Sequence, residues 1–102
     1  MTDEVDAPLP PVQSALVDGV TLDRLFADLE AYAAELTVQA KTRSDGHAST
    51  APLSLREGRS LLESGAALGV QLRYRLGSDA WCDTLMRTPD GLRLVRIAVP
   101  SR

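Results

Sequence analysis

Residues 70–99, VQLRYRLGSDAWCDTLMRTPDGLRLVRIAV, decide the fold. From Val70 to Leu76 apolar and polar residues alternate, the period of a half-buried strand. A second run, Trp81 to Arg87, follows Gly77-Ser78-Asp79-Ala80. A third, Leu92 to Val99, follows Pro89-Asp90-Gly91. Gly, Ser, Asp and Pro at these joints are turn chemistry. The stretch therefore predicts a three-stranded antiparallel meander.

The turns imply a register. A four-residue loop over 77–80 pairs Leu76 with Trp81, Tyr74 with Asp83, Leu72 with Leu85 and Val70 with Arg87. A three-residue loop over 89–91 pairs Thr88 with Leu92, Leu85 with Val95, Asp83 with Ile97 and Trp81 with Val99. Paired residues share a face. The expected core face then holds Val70, Leu72, Tyr74, Leu76, Trp81, Asp83, Leu85, Val95, Ile97 and Val99, with Arg87 and Arg93 near the turn end. The opposite face holds Gln71, Arg73, Arg75, Cys82, Thr84, Met86, Leu92, Leu94, Arg96 and Ala98.

The upstream sequence reads as cover for the core face. Leu22, Leu25, Phe26, Leu29, Ala33 and Leu36 recur at helical spacing, so residues 21–36 predict an amphipathic helix with Thr21 as N-cap and Val20 and Leu25 at the staple positions. From about residue 36 to residue 42, alternation and β-branched Thr37, Val38 and Thr42 favour a fourth strand over a longer helix. Residues 43–52 read as a loop; His47, the single histidine, lies there and nothing in the sequence orders it. Ser54-Leu55-Arg56-Glu57 is a capping box, opening a second helix that ends at Gly65. Gly58 weakens that helix by about 1 kcal/mol relative to Ala, and its lack of a side chain could let the helix approach the sheet closely.

The 102 residues suffice for one domain with a modest core. Residues 1–17 are acidic and proline-rich and are expected to be a flexible tail ahead of a single α+β domain over residues 18–102. The fold class expected is α+β, a three- or four-stranded antiparallel sheet with two helices packed on one face. The single cysteine, Cys82, excludes an internal disulfide and suits a reducing compartment. With no signal-peptide pattern and no long apolar run, a soluble cytoplasmic protein without membrane contact is expected. Residues 1–40 carry eight acids and one base, residues 41–102 six acids and ten bases. Ten of the eleven bases are arginine, which high-GC coding explains.

The pattern of residues argues against most catalysis. There is no phosphate-binding glycine motif, and one His with one Cys cannot make a conventional zinc site. No cofactor or metal ligand set and no catalytic residue is assigned, and the sequence leans against an enzyme. Two places remain. Arg73, Arg75, Cys82, Thr84, Met86, Leu94 and Arg96 form a mixed face suited to a protein partner. Cys82 would be a reactive thiol only if the arginines lowered its pKa, and a passive role fits better. Asp83, among apolar neighbours with Tyr74 and Trp81, marks either a buried polar network or a pocket.

The expected function is a small non-catalytic protein-interaction module, an accessory or assembly factor of a larger bacterial complex, with homodimerisation an option. The alternatives are a small-molecule or anion-binding domain or an enzyme, using a cleft at Asp83, and weak RNA or DNA binding through the arginine face. Net charge of −3 and the lack of exposed aromatics there count against nucleic acid.

Overall fold

The computed structural model describes residues 12–42 and 53–99. They form β1 (Val12–Val17), α1 (Gly19–Tyr32), β2 (Ala34–Thr42), α2 (Leu55–Ser64), β3 (Ala67–Leu76), β4 (Asp79–Thr88) and β5 (Gly91–Val99). The strands make one antiparallel sheet in the order β1-β5-β4-β3-β2. The class is α+β as expected, but the sheet has five strands rather than three or four. The fifth is β1, which falls within the stretch read as tail: Val12–Val17 pair with β5 along their whole length. Residues 1–11, and the loop carrying His47, lie outside the described residues.

Helix α1 starts earlier than its apolar stripe suggests. Asp18, not Thr21, is the N-cap, and its carboxylate accepts from the Thr21 N–H at 2.8 Å. That bond holds the Asp18 carboxyl below the usual carboxylate range. Val17 and Leu22 then take the staple positions. Leu22, Phe26 and Leu29 are the buried stripe. The chain leaves the helix at Ala33 and enters β2 through a bulge, where Glu35 adopts a left-handed φ of 53°.

Helix α2 begins as its capping box dictates. Glu57 N–H donates to Ser54 Oγ, and Ser54 N–H donates to Glu57 Oε1. Gly65 ends it in left-handed conformation. Gly58 is buried against β2 and β3, where an added Cβ would lie 2.7 Å from Val38 Cγ1 and 3.4 Å from Val70 Cγ1. The glycine is therefore what lets the helix approach the sheet. Arg59 on α2 pairs with Asp23 of α1 and with Glu63 at 2.9 Å, and lies 5.4 Å from the Phe26 ring centre. It bridges the two helices. Arg87 of β4 donates to the carbonyls of Leu62 and Glu63, placing a positive charge at the negative end of α2.

Both hairpins are tighter than the sequence suggests. Gly77-Ser78 is a two-residue turn with Leu76 opposite Asp79; Gly77 has a φ of 61°. A positive φ at the first central residue only is the type II′ pattern. This shifts the first register by two, so the side chains keep their faces: Val70 meets Leu85, Leu72 meets Asp83, and Tyr74 meets Trp81. The second turn is Pro89-Asp90, with Thr88 opposite Gly91. Thr88 Oγ1 donates to the Gly91 carbonyl at 2.8 Å and accepts from Asp90 N–H at 3.2 Å, pinning the shorter loop. This shift is by one residue, and it turns β5 over. Leu92, Leu94, Arg96 and Ala98 face the helix side; Arg93, Val95, Ile97 and Val99 face away.

The core joins Leu22, Phe26 and Leu29 of α1, Leu62 of α2, and Val38, Ala40, Val70, Leu72, Tyr74 and Leu85 of the sheet. Both helices lie on this side. Among the described residues, nothing covers the other face of the sheet.

Candidate functional site

The uncovered face can be read row by row from the strand pairing. Thr37, Arg73, Cys82 and Ile97 form one row; Gln39, Gln71, Thr84, Val95 and Ser14 the next; Lys41, Gly69, Met86, Arg93 and Leu16 a third. Arg75, Ala80 and Val99 flank the first row. Apolar side chains gather on β4, β5 and β1, with Met86, Ile97 and Leu16 all exposed. Lys41, Arg73, Arg75 and Arg93 surround them, and the β2 bulge brings one carboxylate, Glu35, to this face. Glu35 stands at its margin, in a depression shared with Arg73 and Arg75.

Five of the residues expected on the partner face are there: Arg73, Arg75, Cys82, Thr84 and Met86. Leu94 and Arg96 are not. The turned β5 places Leu94 against the core and Arg96 beside Asp83, and brings Arg93, Val95, Ile97 and Val99 into the face instead. Periodicity alone could not reveal this, since each side of β5 carries three apolar residues and one arginine.

Gly69 forms the floor of a shallow concavity of about 380 Å³ on this face, walled by Gln39, Lys41, Leu68, Gln71, Thr84 and Met86. A Cβ at Gly69 would lie 3.1 Å from the Leu85 carbonyl oxygen and 3.4 Å from Met86 Cγ. The glycine leaves the space between Lys41 and Met86 open, beside the cross-strand pair Gln39 and Gln71. Cys82 sits nearby but is buried. Burial pushes its thiol up, and the Arg73 charge opposes that only in part, so the thiol stays protonated near neutral pH.

The second place singled out by the sequence is a closed network. Asp83 is fully buried. It accepts from Tyr74 Oη at 2.8 Å, from Arg96 Nε at 2.9 Å and from Arg96 Nη2 at 2.8 Å. Arg96 stands directly opposite it on β5, and the guanidinium grips both carboxylate oxygens. The acid that looked misplaced is thus an ion-paired, hydrogen-bonded core residue. Burial, and then the bond to Asp83, raise the Tyr74 pKa; the same carboxylate raises that of Arg96. Trp81 is the cross-strand neighbour of Tyr74 and makes no hydrogen bond to the network. A cleft of about 360 Å³ between α1 and the sheet is lined by Tyr74 and Arg96 with Leu25, Asp28, Tyr32 and Leu76, while Asp83 lies beneath it. The carboxylate does not present itself to a ligand there.

The network makes an alkaline prediction. A tyrosine whose folded pKa exceeds the ordinary value of about 10 contributes fully below that value. Its contribution is lost as pH rises from there through the folded pKa. In a Tyr32→Phe background, absorbance at 295 nm reports Tyr74 alone, since the chain has two tyrosines. The expected signal stays flat through pH 10 and rises only as the protein unfolds. Ordinary titration of Tyr74 in the folded protein would show that its hydroxyl is not buried against Asp83.

Among the described residues, no helix is long and apolar enough to cross a membrane. Comparison with protein-family models, with curated proteins and with solved structures gave no match, so function must be read from the geometry of this chain.

Proposed function

We propose that this protein is a small non-catalytic interaction module that docks an acidic, partly apolar partner segment on the uncovered face of its sheet, as an accessory or assembly factor does. One observation carries the reading: both helices lie on one side, and the other side is an apolar strip (Val95, Ile97, Val99, Met86) framed by Lys41, Arg73, Arg75 and Arg93, four cations against one carboxylate, Glu35 at the β2 bulge. Apolar area supplies affinity at such a surface, and surrounding charge selects partners of opposite sign. The concavity over Gly69 suits a single anchoring side chain. Against the rival ligand-binding reading stands the closed Asp83 network, whose carboxylate is already neutralised and fully hydrogen-bonded.

Affinity capture from the source cell, with the wild-type chain and an Arg73→Glu/Arg75→Glu variant as baits, tests the proposal. Proteins retained by the wild type should fall at least about tenfold on the variant, as expected for losing two charge contacts. Circular dichroism should be unchanged. Retention by both baits alike, or loss of all retained proteins on nuclease treatment, would sink the reading; the second outcome would point to nucleic acid.

A further inference from the structure

The two edges of the sheet are unlike. The β2 edge is blocked. Its pairing with β3 shifts register between Ala34 and Thr37 and again between Lys41 and Thr42. Glu35, with its left-handed backbone, occupies the first shift. Leu53 N–H donates to the Val38 carbonyl at 3.3 Å, so the middle of the strand already has an outside partner. Bulges, charges and cover are the devices that keep sheet edges from pairing with other chains.

β1 has none of them. Its sequence, VQSALV, contains no charge, proline or glycine. It pairs with β5 without a register shift, and among the described residues it has no neighbour on its outer side. Gln13, Ser14, Ala15 and Leu16 are all exposed. In antiparallel pairing, alternate residues aim their N–H and C=O groups outward, so about three residues of β1 present an unpaired backbone.

The geometry points to a homodimer in which β1 of one copy pairs antiparallel with β1 of a second, joining two five-stranded sheets into one. A second copy is the occupant that fits. A strand can meet itself antiparallel about a two-fold axis, and an uncharged strand sets no like charges opposite each other. Stacking two uncovered faces would instead gather both sets of Lys41, Arg73, Arg75 and Arg93 in one interface. The assembly also closes: once the β1 edges are paired, only the blocked β2 edges remain, so growth stops at two chains. The inference goes beyond the docking reading and stands without it. It does change that surface, bringing Leu16, Val95 and Ile97 of both copies to the centre of one continuous face.

Sedimentation over a wide concentration range tests it. The wild-type chain should sediment at twice its 11.0 kDa mass. A Gln13→Lys/Ala15→Lys variant should sediment at the single-chain mass with its circular dichroism unchanged. Both positions are exposed and lie on the helix side of β1, so the docking face is untouched and partner capture can be scored separately. If the variant loses its fold, hydrogen exchange on the wild type decides: the β1 amides that point away from β5 should slow as concentration rises. A wild-type monomer at every concentration, a dimeric double variant, or β1 exchange that ignores concentration would each overturn the proposal.

Discussion

Replacing Arg96 by methionine destabilises the protein by about 3–5 kcal/mol, because it strands a carboxylate in the core. Asp83 is 0% exposed, and two of its three hydrogen bonds come from Arg96. Once the guanidinium is gone, Tyr74 supplies one hydrogen bond and no charge. The Arg96 side chain is itself 31% exposed, so little desolvation cost is recovered by removing it. The retained Tyr74 bond places the loss toward the lower end of the range. It is still a large share of the roughly 5–15 kcal/mol that keeps a domain folded.

The companion variants separate the pair from the burial. Asp83→Leu alone leaves Arg96 unpaired, but that side chain can turn toward the cleft and water, so the cost should be smaller. The double variant Asp83→Leu/Arg96→Met removes both charges and should regain most of what Arg96→Met loses, since a buried ion pair seldom outperforms a well-packed apolar pair. Urea unfolding followed by Trp81 fluorescence measures all three. A loss below about 1 kcal/mol for Arg96→Met, the worth of a surface pair, would contradict the pairing described.

The second large effect has a sign that helix propensity alone predicts wrongly. Gly58→Ala in an exposed helix would gain about 1 kcal/mol. Here the new Cβ would lie 2.7 Å from Val38 Cγ1, on a branched side chain that is 1% exposed and cannot swing aside. Overpacking of this kind costs about 1–3 kcal/mol. Net destabilisation is therefore expected for alanine, and a larger one, about 3 kcal/mol or more, for Gly58→Val, whose two extra methyl groups enter the same gap. Shortening the neighbour tests the cause. Val38→Ala removes Cγ1, so Gly58→Ala should be stabilising in that background. A stabilising Gly58→Ala in the wild-type chain would show that α2 stands further from the sheet than described.

Much of the fold was legible because local chemistry specified it. Ser54 and Glu57 satisfy each other's backbone groups whatever surrounds them, so α2 starts where the capping box says. Leu22, Phe26 and Leu29 mark the buried stripe of α1 by spacing alone. Alternation in Val70–Leu76 fixes which side of β3 is buried, and a two-residue error in the first turn leaves that intact. β1 was harder to see. Six residues beside an acidic, proline-rich leader carry little strand signal until the edge of β5 is there to receive them.

The candidate site was legible in part for the same reason. Arg73, Arg75, Cys82, Thr84 and Met86 stand on strands whose alternation is unambiguous, and they share the uncovered face. β5 is different. Its two sides are equally apolar, each interrupted by one arginine, so hydrophobic period cannot choose between them. By itself the sequence determined the two helices, three strand runs and an acid that needed a partner. Only the tertiary structure decided which arginine answers it. The tight Pro89-Asp90 turn, held by the Thr88 hydroxyl, slips β5 by one residue and sets Arg96 directly across from Asp83. A buried carboxylate tolerates no register that leaves it unpaired, whereas apolar side chains gain similar burial energy in either one.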